Sequence, residues 1–495
     1  MYAHGTFCVR FAPIFEPNFV PRAYKELPMV FWDTVSVSGS KAVLGVDLGT
    51  SSVKALVAGL DGSVLGRGAA EHAVHVPGPG LAESDPEDWW RAASAAVRAA
   101  LAEAALAGAG GADIAAVGLA GQMHGVVLAT ADGEARRPAI LWLDQRAAAE
   151  AAAYARLPAK LTSVLGNRAS AGMAGPLLCW LAEHEPSALG GARWALQPKD
   201  WLRLRLTGQA ATDPTDASGT LLFDLAARNW AAGLVDALGL PGEKLPPVRD
   251  SAEVTGELLP GPAAELGLRP GIAVVTGAAD TAAALYAAGL RADEAMLTLG
   301  SGGQWVIPER KAAAETLPQS EPAAGAGTNL YLAVGGGCYR LAPVQNVGVT
   351  LNWVRTLLGV SWDEMYATAA RSRFPEPPVF EPYLTPERWD PSATGAWTGL
   401  TLAHRREDLA RAALDGVAGL LRQRLEDLRA AGAAPRRVVL GGGGTDHIAW
   451  RALLADALAL PVRPAPASTL TVAGAARLAC DTMGTVPLTT FSSPE

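Results

Sequence analysis

The feature that most constrains the fold is a strand–turn–strand pattern that occurs twice, some 250 residues apart. In the first copy, the apolar runs Val43–Val46 and Val53–Val57 flank a turn that contains Asp47, Gly49 and three hydroxyl side chains. Ala295–Ile307 repeats this order of apolar run, glycine–hydroxyl turn and apolar run. Two apolar β-branched runs joined by a glycine-containing connection are typical of a β-hairpin. Two such hairpins predict a duplicated domain with a cleft between its halves.

The polar turn of the first hairpin has the chemistry of a phosphate site. Backbone N–H groups around glycine form anion-binding concavities, and a carboxylate such as Asp47 can hold a hydrated Mg²⁺. An ordinary surface hairpin explains the same residues. A third glycine-rich turn, Gly441–Gly444, follows a strand-like run and precedes a helix predicted over Ile448–Leu458. Such a turn lets a backbone approach an anionic ligand closely, so the three turns together favour phosphate binding.

Composition limits the class of protein. The chain has 495 residues, 49% hydrophobic and 18% charged, which is typical of a globular protein with two large domains. Acidic residues outnumber Lys and Arg by 49 to 41 without a basic block, which disfavours nucleic acid as the main partner. The four cysteines lie far apart, as expected in a reducing cytosol, and no apolar run approaches the roughly 18 residues of a membrane helix. We therefore predict a cytoplasmic protein without a membrane partner.

Residues 1–40 do not share the pattern of the rest of the chain. They contain aromatic residues and prolines without clear periodicity, and they lack both the long apolar core and the cleavage site of a signal peptide. The periodic pattern begins at Lys41. We expect a disordered extension or an over-called start codon, with Met29 as one candidate for the natural start.

The order of predicted elements indicates an α/β fold. After the first hairpin, Ser84 or Asp85 can cap a helix that begins at Pro86, and Ile114–Leu119 is predicted to be a buried strand. Ala147–His184 is predicted to be mostly helical. Alternation of strands and helices of this kind is typical of α/β proteins.

Two stretches have the chemistry of a polyol site. Gln122, Met123 and His124 lie in a glycine-bounded loop at the end of a predicted strand, where open α/β sheets bind ligands. A satisfied structural histidine is the alternative interpretation of His124. Trp142 and Asp144 offer an aromatic face beside a carboxylate, which suits stacking on a sugar and acceptance from its hydroxyls. A core tryptophan beside a solvent ion pair explains them equally.

Three carboxylates are candidates for proton transfer. Asp280 follows a strand predicted over Ile272–Val275 and precedes a helix, so its carboxylate could accept a proton from an alcohol during phosphoryl transfer. A helix N-cap explains the same position. Asp213 and Asp216 lie in a loop rich in hydroxyl groups, where turn and cap chemistry accounts for both.

Taken together, these stretches resemble the FGGY carbohydrate kinases over about Lys41–Leu478. Gly45–Lys54 is similar to the first phosphate motif of that family, Leu299–Gly303 to the second and Gly441–Gly444 to the adenosine motif. The Gly121–Gly125 loop, with shorter motifs at 82–90, 198–200 and 218–223, is similar to the xylulokinase branch. The resemblance implies two ribonuclease-H-like α/β domains, of the type found in actin, hexokinase and heat-shock chaperone ATPases, over 41–288 and 289–486.

The resemblance also implies a reaction, its partners and its site residues. ATP would phosphorylate the terminal 5-hydroxyl of D-xylulose, with Asp280 as general base and Mg²⁺ oriented through water by Asp47. D-Ribulose, L-xylulose or another polyol remain alternative substrates, and a non-catalytic ATP-binding protein of the same fold remains an alternative class. A homodimer is compatible with the resemblance. The expected sugar contacts are Met123, His124, Trp142, Asp144 and Asp280. The expected nucleotide and phosphate contacts are Thr50, Ser51, Ser52, Lys54, Gly300, Ser301, Gly348, Asn352, Gly442 and Gly443.

Overall fold

The protein is described by a computed structural model over residues 42–291, 293–309, 327–370, 376–385, 393–465 and 469–483. The expected N-terminal extension, residues 1–40, lies outside the described residues. Within these ranges, no helix combines the length and the apolar character needed to cross a membrane.

In chain order, the described strands are β1 (Ala42–Leu48), β2 (Ser52–Gly59), β3 (Val64–Glu71), β4 (Glu83–Ser84), β5 (Ile114–Gly121), β6 (Val127–Ala129), β7 (Ala139–Ile140), β8 (Trp194–Leu196), β9 (Phe223–Asp224), β10 (Asn229–Trp230), β11 (Val254–Glu257), β12 (Ala273–Val275), β13 (Ala278–Ala279), β14 (Glu294–Leu299), β15 (Gly303–Glu309), β16 (Asn329–Leu332), β17 (Cys338–Val344), β18 (Val379–Glu381), β19 (Ala396–Thr398), β20 (Arg437–Gly441) and β21 (Val462–Pro464). The described α-helices are α1 (Pro86–Leu106), α2 (Ala148–Ala153), α3 (Ala159–Thr162), α4 (Ala174–His184), α5 (Pro186–Gly191), α6 (Pro198–Thr207), α7 (Pro214–Ala217), α8 (Ala232–Ala237), α9 (Pro260–Leu266), α10 (Asp280–Ala288), α11 (Gly348–Leu358), α12 (Trp362–Ala367), α13 (Arg406–Ala430), α14 (Ile448–Leu458) and α15 (Leu470–Asp481).

The two large sheets share a five-strand core, β12-β5-β1-β2-β3 in the first and β21-β20-β14-β15-β17 in the second, which confirms the predicted duplication. The first sheet has the order β11-β12-β5-β1-β2-β3, and the second has the order β16-β17-β15-β14-β20-β21. In each, a central strand (β1 or β14) is antiparallel to its hairpin partner (β2 or β15) and parallel to the strand on its other side (β5 or β20). The glycine–hydroxyl turn of each hairpin therefore lies at the edge of the sheet where the neighbouring parallel strand ends.

Small residues allow helix α1 to pack closely on the first sheet. Asp85 caps the helix by accepting a hydrogen bond of 2.9 Å from the Glu87 N–H, as one of the two predicted caps. Trp89 and Trp90, near the start of the helix, are both buried. A Cβ added to Gly68 of β3 would lie 2.0 Å from the carbonyl oxygen of Ala96, so only glycine permits this approach.

Helices α10 and α15 join the two halves of the chain. Helix α15 packs on the first sheet, where a Cβ on Gly118 would lie 1.8 Å from the carbonyl oxygen of Ala475. Helix α10 shares an apolar cluster with strands of the second sheet and touches α15, where a Cβ on Gly474 would lie 2.0 Å from the carbonyl oxygen of Ala283. Asp280, the first residue of α10, is therefore placed where the two sheets approach each other.

Two stretches differ in detail from the sequence predictions. Ala147–His184 contains the separate helices α2, α3 and α4. The extended backbone of Leu157 before Pro158 separates α2 from α3, and Gly166, in a left-handed conformation (φ +63°), lies between α3 and α4. The strand predicted over Ile272–Val275 is present as β12, and it is followed by the short strand β13, which pairs with β5.

Candidate active site

The first glycine–hydroxyl turn is held from two sides. The carbonyl oxygen of Gly49 accepts a hydrogen bond of 3.3 Å from Gln122 Nε2, and it lies 3.1 Å from His72 Nε2. The hydroxyl of Thr50 accepts a hydrogen bond of 3.0 Å from the indole N–H of Trp142. Gln122 therefore ties the predicted sugar loop (Gln122–His124), which follows β5, to the predicted first phosphate turn (Gly49–Ser51) between β1 and β2. Sequence reasoning missed this connection.

The other two glycine-rich turns meet at the second hairpin. A Cβ on Gly348, the first residue of α11, would lie 2.0 Å from the carbonyl oxygen of Gly300. A Cβ on Gly442 (φ +86°) would lie 2.3 Å from the carbonyl oxygen of Leu299. A Cβ on Gly443 would meet no described atom within 4 Å. The structure thus brings the predicted second phosphate motif and the predicted adenosine motif into direct backbone contact, with Gly443 at an open position.

The remaining residues predicted to contact nucleotide or phosphate lie around these turns. Lys54 pairs in register with Asp47 across the first hairpin, and its side chain is exposed. Ser301 is exposed at the second turn, and its carbonyl oxygen accepts from the backbone N–H of Val349 at 2.8 Å. Asn352 is exposed one turn into α11, where its side-chain oxygen accepts from Arg355 at 2.9 Å. Ser51 is exposed on the first turn, and Thr50 and Ser52 are half-buried there.

The charge of Asp280 acts on Asp47, which lies just before the first phosphate turn. Burial, followed by the charge of Asp280, raises the pKa of Asp47 to about 7, and Lys54 opposes this rise. Burial also raises the pKa of Asp280, although its hydrogen bonds from the N–H and hydroxyl of Thr281 lower it. Ala279, not Asp280, is the N-cap residue of α10. The alternative of a simple N-cap therefore does not account for the position of Asp280.

The residues at the first turn fit a divalent cation. Asp47 Oδ1 is buried without a hydrogen-bond partner among the described residues, and a second carboxylate lies close to it. Carboxylate oxygens are preferred ligands of Mg²⁺, and a cation would offset the repulsion between the two acids.

The sugar loop has a strained backbone that is stabilised by contacts of His124 with Gln197 and Gly219. His124 has a positive φ of 73°, which is uncommon for a residue with a side chain. Its N–H donates to Gln197 Oε1 at 2.9 Å, and its Nδ1 lies 2.7 Å from the carbonyl oxygen of Gly219. A Cβ on Gly219 would lie 2.9 Å from both His124 Cε1 and Met123 Cε. Backbone strain of this kind clusters at functional sites.

Asp144 has the contacts of a structural residue. It is fully buried, and Oδ2 accepts a hydrogen bond of 2.7 Å from the backbone N–H of Ala82. Both of its oxygens also accept hydrogen bonds from Arg146. Both oxygens of Asp144 are therefore occupied within the protein, and its contact with the sugar stays a prediction. Trp142 remains half-buried beside the phosphate turn.

A hairpin of the second half reaches the sugar loop, which the sequence did not indicate. The ring of Tyr331 on β16 lies 5.8 Å from that of His124, and Tyr339 on β17 lies 5.7 Å from Tyr331. The side chain of Asn167 pairs with both backbone groups of Leu330 at 2.7 Å, which holds β16 against the first half of the chain. One wall of the site is thus built from β16 and β17.

Asp213 and Asp216 belong to a buried charge cluster that also contains Lys199, Asp200 and Arg203. Lys199 Nζ contacts Asp200 and lies 3.2 Å from Asp213 Oδ1 and 3.6 Å from Asp216 Oδ2. Burial alone would lower the pKa of Lys199, but the three carboxylates outweigh that effect and raise it. Asp213 also caps helix α7 by accepting from the N–H of Thr215 at 3.0 Å, as cap chemistry predicted.

Comparison with known proteins agrees with this geometry. Residues 42–287 match the profile of the N-terminal domain of the FGGY family of carbohydrate kinases, and residues 292–483 match that of its C-terminal domain. A xylulose kinase of Escherichia coli (strain K12) is 35% identical over 420 residues, which are 83% of this chain and 84% of the relative. The crystal structure of a "xyloylose kinase" from Brucella ovis has a TM-score of 0.80 at 30% identity and covers 92% of this chain and 93% of its own. A xylulose kinase structure from Rhodospirillum rubrum has a TM-score of 0.79 at 29% identity, with 91% of each chain covered. The chain therefore belongs to the FGGY family of carbohydrate kinases.

Proposed function

We propose that this sugar kinase transfers the γ-phosphoryl group of ATP to the terminal 5-hydroxyl of D-xylulose, giving D-xylulose 5-phosphate and ADP. The observation that carries the proposal is the convergence on Asp280 of a phosphate turn and a sugar loop. Its charge acts on Asp47 of the first turn, and Ala279 beside it shares an apolar cluster with Met123 of the sugar loop.

In the proposed reaction, Asp280 takes up one proton while one bond to the γ-phosphorus forms and another breaks. The carboxylate of Asp280 accepts the proton of the sugar hydroxyl as that oxygen bonds to the γ-phosphorus. The bond between the γ-phosphorus and the bridging oxygen of ATP breaks, and ADP leaves with the electron pair. A raised pKa suits Asp280 to this role, because a base is most effective when its pKa lies near the working pH.

The negative charge that develops on the transferred phosphoryl group is stabilised by hydrogen-bond donors held in fixed positions. Backbone N–H groups of the two glycine–hydroxyl turns, with Thr50, Ser51, Ser52 and Lys54, would face the transferred phosphoryl group. When bound, Mg²⁺ would supply neutralisation of the phosphate charge, and Asp47 would hold it through water. Gly300, Ser301, Gly348, Asn352, Gly442 and Gly443 would line the nucleotide.

The choice of D-xylulose rests on the Gln122–His124 loop and on the relatives. Met123 and His124 would contact the ketose, with Trp142 beside them. The E. coli relative and the R. rubrum structure are both named xylulose kinases. The Gln122–His124 loop is also one of the motifs on which the resemblance to the xylulokinase branch rests.

A coupled assay of ADP release over D-xylulose, D-ribulose, L-xylulose and glycerol tests the proposal. We expect D-xylulose to have the highest kcat/KM, and phosphorus NMR of the product to show a 5-phosphate monoester. A tenfold higher kcat/KM for another ketose would mean that this ketose, and not D-xylulose, is the substrate. ADP release that no polyol stimulates, together with a nucleotide-induced thermal shift, would favour a non-catalytic ATP-binding protein.

A further inference from the structure

Thr215 connects the buried charge cluster to the residue that precedes the proposed base. Its Oγ1 accepts a hydrogen bond of 2.9 Å from the backbone N–H of Ala279 and donates one of 2.6 Å to Asp213 Oδ2. Thr215 is 1% exposed, and Ala279 and Asp213 are fully buried. The Thr215 hydroxyl therefore links the carboxylate of Asp213 to the backbone N–H of Ala279, the residue immediately before Asp280.

The anchor of this hydroxyl is itself fixed from several directions. Asp213 Oδ2 also accepts from the N–H of Thr215 at 3.0 Å and from Ser251 Oγ at 2.7 Å. Asp213 Oδ1 lies 3.2 Å from Lys199 Nζ, which is fully buried. Because the carboxylate can only accept, the Thr215 hydroxyl directs its proton to Asp213 and a lone pair to Ala279.

The carboxylate of Asp280 follows the backbone that Thr215 holds. Ala279 also pairs in parallel register with Gly121, the last residue of β5 and the residue before the sugar loop. This strand pairing fixes the Ala279 backbone in addition to the bond from Thr215. Asp280 begins α10, and its carboxylate accepts from the N–H of the next residue, Thr281. A displacement of the Ala279 segment would therefore move the carboxylate relative to a sugar held by Met123 and His124.

We infer that Thr215, oriented by Asp213, is a positioning residue for Asp280 and sets the distance between the base and the sugar hydroxyl. The inference rests on the proposed role of Asp280. Misplacement of a reacting group by about 1 Å can cost a hundredfold in rate. The loss is expected in kcat, because Thr215 is buried and would act through the placement of Asp280.

Thr215→Val tests the inference, because valine keeps the shape of the side chain and removes both hydrogen bonds of the hydroxyl. We expect kcat to fall ten- to a hundredfold, with KM for ATP and for the ketose within threefold of the wild-type values. Thr215→Ser keeps the hydroxyl and is expected to stay within threefold of wild-type kcat.

Thr220→Val is the matched control. Thr220 follows α7, the helix that contains Thr215, and is 2% exposed. Its hydroxyl donates to the carbonyl of Ala217 at 2.6 Å and accepts from the N–H of Leu222 at 3.1 Å. It makes the same number of buried hydrogen bonds as Thr215 does with Asp213 and Ala279, but none with the segment before Asp280. We expect a comparable fall in melting temperature and an unchanged kcat.

Asp280→Asn, measured alongside, separates two kinds of failure. Near-normal turnover of Asp280→Asn would refute the proposed base, whatever Thr215→Val does. An inactive Asp280→Asn together with a normal kcat for Thr215→Val, or an equal loss of kcat in Thr220→Val, would overturn the positioning inference alone. If Thr215→Val does not fold, Ser251→Ala removes one of the bonds that orient Asp213. A severalfold loss of kcat at constant KM would then support the inference, and an unchanged kcat would overturn it.

Discussion

Replacement of Lys199 by methionine should destabilise the protein far more than its volume change suggests. The side chain is fully buried, and its ammonium group is the cation that contacts the carboxylates of Asp200, Asp213 and Asp216. Methionine fills similar space but leaves buried acids without that compensation. Breaking a buried ion pair from one side costs about 3–5 kcal/mol, which is a large share of the about 5–15 kcal/mol that stabilises a typical domain.

The pH dependence of this loss has a definite sign. Burial raises the pKa of Asp216 well above its usual value, Lys199 opposes the rise, and neighbouring carboxylates including Asp280 add to it. An acid whose pKa is raised by folding loses stabilisation as the pH rises through its folded pKa. Without Lys199 that pKa rises further, so the deficit of Lys199→Met relative to wild type should be larger at pH 8 than at pH 5.

Urea unfolding at both pH values measures the effect, with Arg422→Met as the control. Arg422 and Glu426 form an ion pair of 3.6 Å, but their side chains are 57% and 59% exposed. Exposed pairs contribute about 0–1 kcal/mol, so this variant should unfold close to wild type. Equal midpoints for the two variants, or a deficit for Lys199→Met that grows toward low pH, would refute the reasoning.

Four further outcomes are expected from the geometry of the site. Asp47→Asn should raise the melting temperature of metal-free protein by more at pH 8 than at pH 5. The reason is that a carboxyl group with a folded pKa of about 7 loses stabilisation as the pH rises. An equal rise in melting temperature at the two pH values would contradict this prediction. Gly442→Ala should raise KM for ATP at least tenfold through its clash with Leu299, whereas Gly419→Ala, with no neighbour within 4 Å, should not. Gly219→Ala should raise KM for the ketose but not for ATP, since its Cβ would displace both sugar-loop side chains. Chelation of Mg²⁺ should abolish turnover and weaken the thermal shift caused by ATP.

The parts of the fold that could be predicted from sequence are those with local signals. The two hairpins follow from apolar runs around glycine turns, and the cap of α1 follows from Asp85 before Pro86. Helix α14 has the predicted bounds, Ile448–Leu458. Each depends on residues within a few positions of one another, so periodicity and turn chemistry identify it.

Contacts between distant segments lack such signals. Nothing near Asp144 indicates that the N–H of Ala82, 62 residues earlier, occupies its oxygen. The hydrogen bonds of Asn167 to β16 span 163 residues, and the bond of Thr215 to Ala279 spans 64. Such pairings arise from the packing of whole elements, which periodicity does not record. The contacts of Asp144 and Thr215 are therefore visible only in the folded chain.

The central claim is that Asp280 accepts the proton of the sugar hydroxyl, and ketose-dependent ADP release by Asp280→Asn tests it most directly. The amide keeps the size of the side chain and removes its basicity, so turnover of D-xylulose should fall by about 10²–10⁴-fold. The thermal shift caused by ADP should stay close to that of wild type, because the nucleotide turns are unchanged. Turnover of Asp280→Asn within tenfold of wild type would contradict the claim.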